Sequence, residues 1–322
     1  MTKLKGLLLT EGMHGMISQV EGLAKALDLE FIHEKIELNS FWRLLPPKLT
    51  PIRNFVFKNK IYHNFNIVIS CGRKSVIPSI YLKQKYKNKI LNIHIQEPKV
   101  SLSNFDFIVA PEHDGLAGKN VLNSRGAIHY ITQEEIKESK NYLIDKFQLS
   151  NYFNEDKLVT IILGGPNKYY SFSDSALIEV FKKIKINFIN AGHQAIIIPS
   201  IRTPKRIIEI AQEYFDKKEL VITEVDKQAY LAALAMAKHI VVTCDSTSMI
   251  SEAATTGKPI YVAQMPAIKN NQRFKSFFNL FESLNIIKEL NNSVENWSYI
   301  KLNETNKIAN QIREKIKQHD FS

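Results

Sequence analysis

Along the chain, short unbroken runs of Ile, Val and Leu alternate with stretches whose apolar residues recur every three or four positions. Unbroken runs predict strands buried on both faces, and the wider spacing predicts amphipathic helices. In the first half the runs predict strands near Leu4–Thr10, Phe31–Ile36, Ile67–Ser70, Ile90–Ile95 and Phe107–Ala110. After the first of these comes a helix in which Val20, Leu23, Ala24 and Leu27 form one apolar stripe. The second half restarts the rhythm, with strands near Leu158–Leu163, Ala195–Pro199, Leu220–Thr223, Ile240–Thr243 and Ile260–Ala263. Its helices are predicted near Ser173–Asn190, Pro204–Phe215, Gln228–Ala237 and Ser248–Thr256. A strand, a loop, a helix and another strand, repeated in this way, mark an α/β fold of Rossmann-like domains with parallel sheets.

The rhythm is interrupted at Gln148–Asp156, a polar stretch without periodicity that follows a charged helical segment. A boundary is expected there, dividing residues 1–150 from residues 151–322. The last helical segment, Asn303–Lys317, carries Ile308, Ile312 and Ile316 at a spacing of four and is expected to pack back on the domain junction.

Composition changes the picture in three places. The hydrophobic share of 44% and charged share of 23% are those of an ordinary globular chain. Cys71 and Cys244 stand alone without C-x-x-C spacing, which fits a reducing compartment and argues against a disulfide framework or a zinc knuckle. The formal net charge is +11, but only eight of the 43 basic residues are Arg and the lysines are scattered. That pattern reads as a solvated surface, and nucleic acid is not an expected partner. The early apolar run Leu7–Leu9 is too short for a signal sequence or a membrane span. A cytoplasmic protein is expected, with peripheral contact to an anionic membrane left open.

Candidate chemistry concentrates where strands run into helices. In open parallel sheets ligands bind outside the carboxyl ends of the strands, where helix N-termini converge. The loops there are Glu11–Gly15, Ser70–Ser75, Gly164–Lys168, Pro199–Thr203 and Thr243–Ser248, and they are rich in glycines, hydroxyls and cations. In TCDSTSMISE, the segment from Thr243 to Glu252, a strand delivers Asp245, Ser246 and Ser248 to a helix start that suits a diphosphate. Glu252 follows one turn later, where its carboxylate could accept both hydroxyls of a ribose. Helix capping alone accounts for an Asp and a Ser at such a place, but the hydroxyl cluster exceeds what a cap requires. Gly164 and Gly165 allow close backbone approach or simply a tight turn. Arg202 beside Thr203 offers a fork for phosphate or a solvated side chain, and Arg73 with Lys74 offers the same from the first domain.

There is no G-x-G-x-x-G and no G-x-x-x-x-G-K-[ST], so the dinucleotide and P-loop readings lose their fingerprints. The nine histidines form no H-E-x-x-H, and the aspartates form no D-x-D pair. No metal site and no cofactor are expected. His14, flanked by Gly12 and Gly15 at the first strand's exit, is the histidine best placed as a general base, although a loop histidine satisfied by backbone fits as well. Glu97 beside Pro98, and His113 and Asp114 within Glu112-His113-Asp114, are the alternatives, and no G-x-S-x-G accompanies them.

Taken together, these segments resemble a known family. Gly12-Met13-His14-Gly15 with Gln19 and Gly22-Leu23-Ala24, Gly72-Arg73-Lys74-Ser75, and the run from Gln96-Glu97-Pro98 through Glu112-His113-Asp114 to Gly126-Ala127-Ile128-His129 are joined by Gly164-Gly165-Pro166, Arg202-Thr203-Pro204, Asp245–Ala253 and Thr256–Pro259. Their order is similar to that of the family named after the plant mitochondrial-fission factor "elongated mitochondria". The resemblance implies a GT-B-like fold, two Rossmann-like domains facing across a cleft. It further implies a C-terminal domain holding a nucleotide-sugar donor through Gly164-Gly165, Arg202-Thr203 and Asp245–Glu252, and an N-terminal domain taking the acceptor. The family's named role is different: recruiting a dynamin-like fission protein to the mitochondrial outer membrane. Lys74 stands where a second Arg is expected in the family, and the Lys-, Ile- and Asn-rich composition looks more like a bacterial relative.

Two functional readings follow. One is a metal-independent glycosyltransferase that binds a nucleotide sugar or nucleoside diphosphate, in envelope or glycolipid synthesis. The other is a non-catalytic adaptor that keeps the fold and binds a protein or membrane partner.

Overall fold

The computed structural model describes residues 3–61, 64–148, 153–216, 218–291 and 293–317. Its strands are β1 (Lys5–Thr10), β2 (Glu30–Lys35), β3 (Ile67–Cys71), β4 (Leu91–Ile95), β5 (Phe107–Pro111), β6 (Val121–Ser124), β7 (Leu158–Leu163), β8 (Gln194–Pro199), β9 (Leu220–Val221), β10 (His239–Thr243), β11 (Ile260–Ala263) and β12 (Ile287–Glu289). The helices are α1 (His14–Ala26), α2 (Val76–Tyr86), α3 (Gln133–Glu138), α4 (Tyr142–Phe147), α5 (Asp174–Ile184), α6 (Lys205–Tyr214), α7 (Lys227–Met236), α8 (Thr247–Ala254), α9 (Gln272–Ser283) and α10 (Glu304–Ile316).

The strands form two six-stranded sheets, ordered β2-β1-β3-β4-β5-β6 and β12-β11-β10-β7-β8-β9. Every pairing between these strands is parallel. The unbroken apolar runs are explained by burial: β3, β4, β5 and β7 are buried at every position. Alternation along β1 serves two layers at once. Leu8 joins Val20, Leu23, Ala24 and Leu27 of α1 on one face, while Leu7 and Leu9 join Val56, Ile77 and Leu82 on the other.

All ten strand segments expected from the sequence are present, the one near Leu220 reduced to two residues. The helix expected over Ser173–Asn190 is α5, capped by the Ser173 hydroxyl accepting from the Ala176 N–H, and extended by a π-helical turn over Lys185–Ile189. The sequence reading missed β6 and β12, which are short edge strands. Their burial is mixed, so neither shows the unbroken apolar run that marks the interior strands.

The division of the chain differs from the one expected. One compact unit comprises the described residues through Tyr130 together with those from Asn303 onward, and the other is Ile131–Leu302. The expected boundary, Gln148–Asp156, includes residues 149–152, which lie outside the described residues; the remainder falls within the second unit. The cause is the packing of α3 and α4. Leu143 is buried with Leu158, Ala229 and Ala232, Ser139 Oγ donates to Gln228 Oε1 at 2.8 Å, and Tyr142 Oη donates to Asp226 Oδ2 at 2.8 Å. Helix α10 belongs to the first unit, where Ile308, Ala309 and Ile312 pack with Leu23 and Leu27, and Glu304 accepts from the Arg125 N–H at 2.8 Å.

Each sheet has one point where chain order reverses. In the first it lies between β1 and β3, in the second between β7 and β10. Loops leaving adjacent strands there turn to opposite faces and leave room between them at the carboxyl edge.

Candidate functional site

The second unit's reversal point is built around Asp245, whose side chain has no solvent exposure. A carboxylate taken out of water needs partners for its lone pairs. They are Arg202 Nη2 at 2.5 Å, the Thr243 hydroxyl at 2.6 Å and the Gly165 N–H at 3.3 Å. Arg202 also donates from Nη1 to the Gly165 carbonyl at 3.3 Å, and the Gly164 N–H donates to Thr243 Oγ1 at 2.8 Å. Thr203 closes the group, its hydroxyl 2.7 Å from the Leu163 carbonyl and 2.8 Å from that of Gly164. Three strand exits are thereby tied together.

The same network explains the paired glycines. A Cβ on Gly164 would lie 2.1 Å from Asp245 Oδ1, and one on Gly165 would lie 2.0 Å from the Arg202 carbonyl oxygen. What crowds them is the protein's own, the Asp245 carboxylate at Gly164 and the Arg202 backbone at Gly165. Arg202 is likewise committed through two of its N–H groups, with its half-exposed outer edge keeping further donors.

Beyond Asp245 the chain turns into α8. Ser246 is its N-cap, accepting from the Met249 N–H at 3.3 Å, and Thr247 and Ser248 are partly exposed in the first turn. Glu252 follows, and Tyr230 Oη of α7 donates to its Oε2 at 3.0 Å. Burial pushes the Glu252 carboxyl up to about 7, against the Tyr230 hydrogen bond, which lowers it.

In the first unit the reversal point holds Glu11 and the Gly72–Ser75 turn. Gly72 adopts φ +93, a left-handed geometry that glycine enters without strain. That turn presents the Lys74 N–H to Glu11 Oε1 at 3.0 Å and Lys74 Nζ to Glu11 Oε2 at 2.9 Å. Lys74 therefore balances a carboxylate of its own chain. The Arg73 guanidinium is held by the carbonyls of Leu45 at 2.9 Å and Arg43 at 2.6 Å. Gly12 turns the chain with its N–H on Thr10 Oγ1 at 3.0 Å, and no atom of the surroundings restricts Gly15.

The base candidates are spread over three loops. His14 is the first residue of α1, exposed, with Nε2 3.2 Å from Tyr130 Oη. Glu97 is exposed and pairs with Lys99. His113 is fully buried with Nε2 3.5 Å from Asp114 Oδ1, a position that denies it a solvent-borne substrate. Both cysteines are buried and free, and burial pushes the Cys244 thiol up to about 12 and that of Cys71 higher still, so neither is a ready nucleophile. Among the described residues no group of three His, Cys, Asp or Glu side chains converges as a metal site would require.

The sequence model of the mitochondrial fission ELM1 family matches residues 14–316. The chain belongs to this family. A family relative, an uncharacterized protein of Rickettsia prowazekii (strain Madrid E), is 27% identical over 285 residues, covering 78% of this chain and 80% of that one. The mitochondrial fission protein ELM1 of Arabidopsis thaliana is 23% identical over 284 residues, covering 80% of this chain and 65% of the plant protein. Among solved structures, the UDP-GlcNAc 2-epimerase of Neisseria meningitidis bound to UDP-GlcNAc superposes with TM-score 0.54 at 12% identity, covering 97% of this chain and 100% of the epimerase. The corresponding epimerase of Methanocaldococcus jannaschii gives TM-score 0.51 at 15% identity, over 96% and 99% of the two chains. The catalytic domain of starch synthase IV from Arabidopsis thaliana, bound to ADP and acarbose, gives 0.50 at 9% identity, over 99% of each chain. At such identities the likeness is one of fold, and the α/β fold of this family member is GT-B-like.

Four residues at these two places were given no role in the sequence reading, three of them in the loops named there and one on a helix. Glu11 and Thr243 neutralise or hydrogen-bond the expected ligand-binding groups, and Asn167 ties the Gly164–Lys168 loop to the Asp245 carbonyl at 3.1 Å. Tyr230, on a different helix from Glu252, is invisible to motif spacing. A cavity of about 450 Å³, lined by Lys137, Lys140, Lys258 and Lys301, sits instead where β11 begins, at the amino ends of the strands.

Proposed function

We propose that this ELM1-family chain is a nucleotide-sugar-dependent glycosyltransferase of envelope or glycolipid synthesis. In this reading the second unit holds the nucleoside diphosphate and the first takes the acceptor. One observation carries it: at the reversal point of the second sheet, α8 begins with hydroxyl residues and places a carboxylate, Glu252, one turn further on. The helix N-terminus with Ser246 and Ser248 meets the charge that grows on the departing diphosphate, and the outer edge of Arg202 adds to it. Ionised Glu252 accepts from the ribose hydroxyls. His14, exposed at the start of α1, takes the acceptor's hydroxyl proton as the new glycosidic C–O bond forms and the bond to the diphosphate breaks. Bound uridine and adenosine nucleotides in the solved proteins of this fold support a nucleotide as the ligand class.

A second reading, the non-catalytic adaptor, is favoured by one finding. Both guanidiniums expected to hold phosphate, Arg73 and Arg202, are engaged by the chain's own acceptors.

The separating experiment is a thermal-shift and calorimetric series with uridine, adenosine and guanosine diphosphates and their sugars. A true ligand at about 100 times its dissociation constant stabilises the fold by about 2.7 kcal/mol. Because ionised Glu252 accepts from both ribose hydroxyls more strongly than the neutral acid, affinity should rise by up to about tenfold from pH 6 to pH 8, and the part of the rise owed to Glu252 should vanish in Glu252→Gln. No binding by any of these nucleotides defeats the transferase reading.

A further inference from the structure

Between β2 and β3 the chain makes an excursion that neither sheet requires. Its base is pinned by the isolated Leu38–Phe57 pairing and the Asn39 N–H on the Val56 carbonyl at 2.9 Å, and Leu38, Trp42, Ile52, Val56 and Phe57 pack inward on the first unit's core. The outward residues are of the wrong kind for water. Leu44 is 77% exposed, Phe41 63%, Leu49 61% and Phe55 55%. Phe41, Leu44 and Phe55 are clustered, since the Trp42 ring lies 4.8 Å from that of Phe41 and 5.9 Å from that of Phe55, and Leu44 follows Phe41 by one turn.

Single exposed apolar residues need no explanation, but a contiguous patch of large ones marks an interaction site. The charge around it identifies the partner. From Phe41 to Lys60 the chain carries five cations, Arg43, Lys48, Arg53, Lys58 and Lys60, and no carboxylate. Lys58 is paired with Glu37 at 3.5 Å, and Arg43, Lys48, Arg53 and Lys60 are exposed. Aromatic and leucine side chains flanked by cations match a bilayer surface, where the rings enter the headgroup region and the cations meet anionic lipid. No described helix is long and apolar enough to cross a membrane.

We infer that this excursion is a membrane-docking surface for anionic lipid. It extends from the carboxyl edge of the first sheet, and the Arg73 bonds to the carbonyls of Arg43 and Leu45 hold it beside the Gly72 turn. The proposal does not depend on the transferase reading.

The test is flotation of the full chain with vesicles of phosphatidylcholine alone or mixed with phosphatidylglycerol, read in parallel by the emission of Trp42 in a Trp297→Phe background. Wild type should float with the anionic vesicles, shift Trp42 emission to the blue and release as salt rises. The double variant Phe41→Ser/Leu44→Ser, altered only at exposed positions, should bind at least about tenfold more weakly while its melting temperature is kept. Arg53→Glu should bind about fivefold more weakly or worse, each cation near an anionic surface being worth about 1 kcal/mol. Equal flotation of wild type and both variants, or no flotation of wild type with anionic vesicles, overturns the proposal. So does a concentration-dependent dimer that the double variant dissociates while vesicles stay unbound, which would make the face a contact between copies.

Discussion

Glu252→Gln should make the second unit more stable at alkaline pH and leave it almost unchanged at acid pH. In the unfolded chain a glutamate releases its proton near pH 4.5, whereas folding holds this one until about pH 7 because burial penalises the carboxylate. Below about pH 4.5 the side chain is protonated in both states and contributes no pH dependence. Between the two values the unfolded state releases its proton first, so stability falls as pH rises, by about 1.4 kcal/mol for each unit. The loss is complete once the folded carboxyl also ionises, and over this interval it reaches about 3 kcal/mol. Glutamine removes the titration but keeps an acceptor for the Tyr230 hydroxyl, so the variant should exceed wild type by about 3 kcal/mol at pH 8 and by little at pH 4. Urea unfolding in a Trp42→Phe background would follow this unit alone, through Trp297 packed 5.0 Å from Tyr261. Comparing wild type with variant cancels the other titrating groups. Parallel pH profiles for the two proteins would refute the reasoning.

Much of this fold can be read from periodicity, because buried parallel strands such as β7 are apolar at nearly every position and reveal themselves without tertiary information. The edge strands β6 and β12 escape for the converse reason: their partly exposed faces admit Asn, Ser, Lys and Glu. Ownership of a helix by one unit or the other is not local either. Helix α3 has a single apolar residue and α4 is only six residues long, and what assigns them is the burial of Leu143 against α7 together with the Ser139–Gln228 and Tyr142–Asp226 hydrogen bonds. At the candidate site, strand-exit reasoning locates Gly164, Arg202 and Asp245 in one place, but it reads them as open to a ligand. The structure shows them satisfying one another, since a fully buried Asp245 takes the cation and N–H groups that a phosphate would use. Residue types and positions are legible in the sequence; which acceptor a donor finally serves depends on burial.

The remaining predictions follow from the same geometry. Gly164→Ala should destabilise the second unit by about 3 kcal/mol, because its Cβ would meet the Asp245 carboxylate, whereas Gly15→Ala, with nothing near it in the first turn of α1, should be neutral or stabilise by up to about 1 kcal/mol. Equal thermal shifts for the two would contradict the assigned packing. His14→Ala should leave nucleotide affinity unchanged while lowering turnover about 10²–10⁴-fold once a substrate is in hand; undiminished turnover would move the base to Glu97. Arg202→Ala strands a fully buried carboxylate that keeps only the Thr243 hydroxyl and the Gly165 N–H, so it should cost about 3 kcal/mol in urea unfolding. Arg202→Ala/Asp245→Asn should recover much of that loss, because an amide without the cation needs no counter-charge. If the single variant is as stable as wild type, Arg202 is free for phosphate and the main observation favouring the adaptor reading disappears.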